Sequence, residues 1–447
     1  MFIVKFMMIT AAVLASLCTV EAGGQRWVDD PANKLRADEK TPRAPKEYVV
    51  NLDLPEEERW KEIGEKYADK SFWLVEYLRR NLPPGWLKPI EKIAAQLLPF
   101  FKDYGGEMKG YAAALNITEG DVVAINLIYQ LERLGLACDS WNNTGPSHTC
   151  DLPMNADDDS AEGSQGFYGP FMPYPDDDED EYEREMADID APGPCTSFVV
   201  QDPDFKIWAG RNLDWNFPDV LKQFIINVDF HRGGKSLYKA TTAVGYVGIL
   251  HAVKPGKFAY SMDARRKGGN LALNLLEMAL GSGVRTPEQH ARYVFETEDS
   301  YAAAKDSLAN TEIVNPVYYI LSGVQKNEGS VLARDRKGVV HTYNMEEEIE
   351  SPGGNVQKDF WVGITNYDLD KHPLPADDRA TPMTDNLNAL EGKAFNDKEV
   401  WDILKTWPTF NAHTDITAVV DVASGAFDVV VWFDHKNFPE DDDLEKM

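Results

Sequence analysis

The first polar–apolar rhythm along the chain is helical. Residues 56–82 carry Trp60, Ile63, Tyr67, Phe72, Val75 and Leu78 at three- and four-residue intervals, closed by Pro83-Pro84-Gly85, which predicts one helix. A second is expected over 86–104, with Ile90, Ile93, Leu97, Leu98 and Phe101 on its apolar side. Thr118 suits the N-cap of a third, 119–134. The second half changes period. Short apolar or alternating runs at 197–201, 206–209, 224–230, 236–242, 245–253 and 257–262 read as strands. Further strands are expected at 317–321, 330–334, 339–343, 360–365, 416–420 and 426–433, and helices at 270–280, 286–296, 301–309 and 397–406. Gly233-Gly234 fits a hairpin turn better than a ligand cradle. Strand-rich and helix-rich stretches are segregated, which predicts α+β layers and not a doubly wound parallel sheet.

Composition divides this pattern into regions. Hydrophobic residues make up 43% of the 447 and aromatics 11%, as in folded globular chains. The region 153–194 departs from this, being rich in Gly, Pro, Ser and acids, with a nearly continuous acidic run over 176–190. Such a segment buries too little apolar surface to offset its ordering entropy and reads as an exposed, protease-accessible linker. At the N-terminus, Lys5 precedes an apolar run over 7–17 that ends in Val20-Glu21-Ala22. This is the pattern of a signal peptide spanning 1–22, and the run is too short to span a bilayer comfortably. The expected organisation is therefore a signal peptide (1–22), a helical N-terminal α-subunit (23–152), an acidic linker (153–194) and a catalytic β-subunit (195–447). A formal charge of −29 excludes nucleic acid as the natural partner, because a polyanion needs a basic face.

An exit from the cytosol changes how sequons and cysteines read. Asn116-Ile117-Thr118 and Asn142-Asn143-Thr144 become candidate glycosylation sites at Asn116 and Asn142. Cys18 leaves with the signal peptide; Cys138 and Cys150 flank a short loop and suit a disulfide, which leaves Cys195 as the odd thiol. No Cys-x-x-Cys or clustered spacing among the 8 His suggests a metal, and no cofactor is expected. Alone, Cys195 reads more readily as a buried core cysteine opening a strand. Its other reading uses its place directly after the linker. If the bond between Pro194 and Cys195 is cut, one residue carries both a nucleophile and an α-amine base of pKa about 7.7–8.0. Gly210-Arg211-Asn212-Leu213-Asp214 lies just past the next strand. A hairpin would return Arg211 beside Cys195 to depress the thiol pKa, and Asp214 to orient the α-ammonium. A surface Arg–Asp ion pair is the commoner fate of such residues.

At these residues the chain resembles the acid ceramidase and N-acylethanolamine-hydrolysing acid amidase family of N-terminal nucleophile hydrolases, which is related to bile salt hydrolases and penicillin V acylases. The matching blocks are Cys195-Thr196-Ser197, Gly210-Arg211-Asn212-Leu213-Asp214, Gly245-Tyr246-Val247-Gly248, Val317-Tyr318-Tyr319-Ile320, Thr365-Asn366-Tyr367-Asp368 and Asp377-Asp378-Arg379. The resemblance implies a four-layer αββα sandwich with an α- and a β-subunit cut from one precursor. It implies Cys195 as nucleophile in self-cleavage and turnover, with Arg211 and Asp214 binding its α-amine and the substrate amide. Asn366 would donate from its side chain to the oxyanion, and Arg379 would support the site by charge. The implied substrate is a fatty-acyl amide and the implied setting a lysosome or another part of the secretory pathway.

Two departures stand out. The residue before Cys195 is Pro194, which alters the scissile peptide, and a long insertion over 139–190 replaces a short connection. The short stretch 213–221 resembles the acylethanolamine amidases, whereas 230–256 looks at least as ceramidase-like. The acylethanolamine branch is the nearer of the two. Trp86, Leu97, Leu98 and Phe101, with Lys88, Lys92 and Lys102, form an amphipathic stretch that suits either a core-facing helix or a peripheral membrane contact delivering lipid substrate. Ceramide hydrolysis, hydrolysis of non-lipid amides and a non-enzymatic luminal lipid-binding role remain as alternatives.

Overall fold

The computed structural model describes residues 40–80, 88, 91–92, 94–95, 98–101, 103–128 and 195–434, the last range apart from 216, 266–283, 352–354 and 372–376. The expected signal peptide, the acidic linker with Pro194, the Cys138–Cys150 pair, Asn142, Trp86, Leu97 and the helix over 270–280 lie outside the described residues.

Two strands come first, β1 (Thr41–Arg43) and β2 (Lys46–Asn51). Helices α1 (Lys61–Tyr67), α2 (Phe72–Arg80), α3 (Gly105–Leu115) and α4 (Glu119–Asn126) follow. From Cys195 the order is β3 (Cys195–Gln201), β4 (Ile207–Asp214), the short α5 (Asp219–Lys222), β5 (Ile225–Arg232), β6 (Lys235–Ala243), β7 (His251–Lys254) and β8 (Phe258–Ala264). Then come α6 (Pro287–Thr297), α7 (Tyr301–Asn310), β9 (Val317–Ser322), β10 (Gly329–Arg334) and β11 (Val339–Asn344). The last elements are β12 (Ile349–Ser351), β13 (Asn355–Gln357), β14 (Trp361–Ile364), α8 (Ala380–Asn388), α9 (Asp397–Leu404), β15 (Thr414–Asp421) and β16 (Ala426–Phe433).

Two large sheets result: a six-stranded one ordered β1-β16-β15-β4-β3-β14 and an eight-stranded one ordered β11-β10-β9-β8-β7-β6-β5-β2. Alternation along β3 explains how they stack, because successive side chains leave opposite faces. Val199 joins Ile207, Val253, Ile320 and Val331 in the core between the sheets. Phe198 and Val200 point the other way, onto Met383, Leu387, Ile403 and Leu404 of α8 and α9. On the far side, Val294, Phe295 and Leu308 of α6 and α7 join the core with Phe258 and Tyr319. The layers are thus α, β, β, α, as expected.

Several elements follow the sequence closely. Thr118 caps α4 with a capping box completed by Asp121, and Gly233 and Gly234, at φ 60° and 72°, turn β5 into β6 as only glycine does readily. Others differ. The single helix over 56–82 is a 3₁₀ turn (Glu56–Glu58), α1 and α2, interrupted where the Ser71 hydroxyl donates to the Ala68 carbonyl and competes with the helical ladder. The strand over 245–253 shrinks to β7, because Gly245 takes φ 84° and its carbonyl accepts from the buried Asn126 side chain. The N-terminal piece is also not purely helical. β1 pairs with β16 at one sheet edge and β2 runs parallel to β5 at the edge of the other, a pairing that local periodicity does not reveal.

A buried ion pair ties the N-terminal helices to the rest. Glu107 of α3 accepts from Arg292 of α6 at 2.6 and 2.8 Å, both side chains being fully buried. Arg59 adds a bond at 2.8 Å, and the Trp60 indole N–H donates to the other carboxylate oxygen.

Candidate active site

The β3–β4 hairpin builds the site. Asp202 closes its turn by accepting from the N–H groups of Asp204 and Lys206, each at 2.9 Å. The resulting register sets Cys195 opposite Leu213 and Ser197 opposite Arg211. Cys195 is a buried thiol that forms no disulfide among the described residues. Arg211 Nη2 lies 3.9 Å from Cys195 Sγ. Its Nη1 donates to the Leu250 carbonyl at 2.7 Å and faces His251 Nδ1 at 3.4 Å. Asp214, at the end of β4, is fully buried and accepts from Asn411 Nδ2 at 2.9 Å.

The remaining residues arrive from the loop after β14. Asn366 holds a left-handed backbone (φ 71°), a conformation Asn tolerates better than most residues. Its Oδ1 accepts from the Cys195 backbone N–H at 2.5 Å. Arg379 donates to the Cys195 carbonyl, to the Thr365 carbonyl at 3.0 Å and to Asn366 Oδ1 at 3.2 Å. Asp377 anchors the guanidinium with bonds of 2.7 and 2.9 Å, and Tyr367 donates to Asp377 at 2.8 Å. The structure therefore sets Arg211, Asn366 and Arg379 directly against Cys195, with the Asp214 carboxyl near enough to act on the thiol electrostatically.

Two features of the uncut site differ from expectation. Arg211 does favour the thiolate, but burial and the nearby Asp263 carboxylate outweigh it and push the thiol up to about 12. Asn366 Nδ2, expected to donate to an oxyanion, donates instead to the Ala264 carbonyl at 2.8 Å; the side chain faces Cys195 with its oxygen. Burial also holds Asp214 up to about 7 and Asp263 up to about 6.

Sequence reasoning missed Asp263, Ser197 and the support behind Asn366. Asp263 accepts from Ser197 Oγ at 2.7 Å and lies 3.5 Å from Arg211 Nε. Arg265 grips Asp368 with bonds of 3.0 and 2.7 Å, and Tyr318 donates to Asp368 at 2.7 Å. The available signal was an acid, with Ser261 two residues before it, on the inward face of a mostly apolar strand, β8.

Beside the thiol runs an apolar groove of about 660 Å³. Its lining includes Leu213, Leu250, Trp215, Phe217, Leu221 and Val244, with Leu74, Tyr77, Leu78 and Ile125 from the N-terminal piece.

Comparison with known proteins gives this geometry a family. Residues 195–384 match the family model described as linear amide C–N hydrolases, choloylglycine hydrolase family. Residues 43–101 match the model of the beta subunit of N-acylethanolamine-hydrolyzing acid amidase, so the piece expected as an α-subunit carries a beta-subunit description there. Acid ceramidases of Pan troglodytes and Homo sapiens are each 29% identical, over 85% of this chain and 84% of theirs. A solved Caenorhabditis elegans N-acylethanolamine-hydrolyzing acid amidase ortholog is 30% identical, covering 51% of this chain and 92% of that one, with a TM-score of 0.43. The chain belongs to the acid ceramidase and N-acylethanolamine-hydrolysing acid amidase family. It is an amidohydrolase of linear amides.

Of the four residues expected at a membrane contact, Leu98 and Phe101 are described, and protein covers both. Leu98 and Phe101 are 3% and 7% exposed and pack in the core with Tyr104 and Met108. An amphipathic pattern records that one face avoids water and does not say whether lipid or protein covers it. Asn116 is exposed at the C-terminal end of α3, where a sequon is accessible.

Proposed function

We propose that this amidohydrolase is cut before Cys195 and then hydrolyses N-acylethanolamines to a free fatty acid and an amine, in an acidic lysosomal lumen. The observation that carries the substrate class is the continuity of thiol and groove. Leu213, paired with Cys195 across the hairpin, and Leu250, whose carbonyl holds Arg211, both line the apolar groove. An amide at Cys195 thus has an apolar channel beside it for one acyl chain. Burying such a chain supplies about 0.8 kcal/mol per CH₂.

In the proposed cycle, cleavage turns the Cys195 N–H that Asn366 Oδ1 accepts into an α-amine. That amine takes the thiol proton, the sulfur attacks the amide carbonyl, and a thioester forms as the α-ammonium passes the proton to the nitrogen of the leaving amine. Water then releases the fatty acid. Arg379 fixes the Cys195 carbonyl, and Asp214 supplies a buried carboxyl for the new ammonium group.

The test compares N-palmitoylethanolamine, ceramide and a bile-salt amide with the processed protein. N-palmitoylethanolamine is expected to lead in kcat/KM by about tenfold or more. A ceramide lead supports the second reading, ceramide hydrolysis, which is favoured by the matches to proteins named acid ceramidase. A bile-salt lead refutes both. Ala243→Phe places an aromatic ring in the groove that Ala243 lines. It is expected to lower kcat/KM for palmitoyl amides about tenfold while sparing butyryl amides, measured on matched substrates.

A further inference from the structure

We infer that Asp263 is a positioning residue: it fixes and neutralises Arg211 from the side away from the sulfur, so that Cys195 rests as a thiol and not as a thiolate. The inference deepens the amidase reading above and rests on Cys195 being its nucleophile. Three strands from two sheets meet at this point. Arg211 on β4 presents Nη2 to Cys195 Sγ at 3.9 Å, while its Nε lies 3.5 Å from Asp263 Oδ1 on β8. Ser197 on β3 donates to the same Asp263 oxygen at 2.7 Å. Arg211 and Asp263 are 2% and 0% exposed, so solvent screens neither charge. Among the described residues, Asp263 Oδ2 is buried with no hydrogen-bond partner, an arrangement that a purely structural carboxylate rarely keeps.

The other groups facing the thiol do not replace Asp263. Burial keeps His251 on β7 neutral. Asp214 on β4 is itself held up to about 7 by burial and accepts from Asn411. Arg379 is engaged with Asp377 and the Cys195 carbonyl. Asp263, pushed up to about 6 by burial, is ionised at neutral pH and balances the guanidinium there, and it gives up that balance as pH falls below about 6. A cation beside a thiol otherwise draws off its proton. A resting thiol serves the proposed cycle, because the S–H bond breaks as an N–H bond forms on the α-amine. It also withholds the oxidation-prone thiolate until substrate is present.

The test is Asp263→Asn in the full-length protein, which removes the charge and keeps an acceptor for Ser197. Thiolate is read as the rate of Cys195 alkylation by a small haloacetamide, against a Cys195→Ser protein in each background. The expected result is an about threefold or faster rate at about pH 9 relative to the parent, because the thiolate is the reacting form. Asp263→Ser, smaller and equally uncharged, gives the same direction and serves if the first variant folds poorly. Thiolate equal to or below the parent in the folded variant overturns the inference. The readout needs no substrate: inactivity of the parent on every amide would refute the amidase reading and leave this result standing.

Discussion

Cys195→Ala yields a chain that is not cut before position 195 and hydrolyses no amide above about 10⁻⁴ of the parent rate. The size follows from covalent catalysis. Removing a nucleophile leaves only binding and electrostatic stabilisation, and in hydrolases whose groups act as a unit the loss reaches about 10⁴–10⁶. The geometry makes the expectation specific. The peptide at Cys195 is already held at its N–H by Asn366 and at its carbonyl by Arg379, so the variant keeps the scaffold and loses only the sulfur. Mass spectrometry of protein incubated at acid pH checks the cut, and release of fatty acid from N-palmitoylethanolamine checks turnover. A new N-terminus at position 195 in the alanine protein would assign the cut to another protease. That outcome matters because Pro194 precedes the bond. Hydrolysis that survives the substitution would remove Cys195 from the mechanism altogether.

Glu107→Gln is expected to destabilise the folded protein by about 3–5 kcal/mol, the usual consequence of stripping one partner from a buried ion pair. Arg292 would remain a fully buried cation facing a neutral amide, and Arg59 and Trp60 would lose a charged acceptor. In a chain cut before Cys195, position 107 and position 292 lie on different polypeptides, so the same substitution weakens the joint between them. Denaturant unfolding measures the stability, and size-exclusion chromatography of cut protein measures retention of the N-terminal piece. Replacing both residues, as Glu107→Met with Arg292→Met, is expected to recover most of the loss, because a matched apolar pair leaves no uncompensated charge. The pH dependence has a definite sign. The Glu107 carboxyl is lowered in the fold: burial opposes this, and Arg292 and the surrounding donors outweigh burial. Its contribution is complete above the unfolded value of about 4.3 and declines as pH falls through the lower folded value. The joint therefore holds in a mildly acidic lumen.

How far the site could be read from the chain depended on distance along it. Cys195, Arg211 and Asp214 occupy one hairpin, whose register is set by alternation and a short turn, so their meeting was legible. Asn366 and Arg379 were placed by family resemblance, and the structure brings both onto the Cys195 peptide. It also turns the Asn366 oxygen, not its nitrogen, toward Cys195. The 98–101 segment shows the converse limit: its apolar side was plain, and only packing showed that protein covers Leu98 and Phe101.

By itself the sequence determined the layered α+β class, the capped start of α4, the hairpin that carries Cys195 and the family. Each of these rests on residues close together in the chain or on an ordered series of motifs, where period, turn chemistry and spacing act locally. Tertiary structure decided the placement of β1 and β2 at opposite sheet edges, the Glu107–Arg292 joint and the apolar groove assembled from both pieces. It also decided the state of Cys195. The hairpin supplies Arg211, but Asp263 comes from the facing sheet and burial from every layer around it. Together they raise a thiol that its sequence neighbours alone would lower.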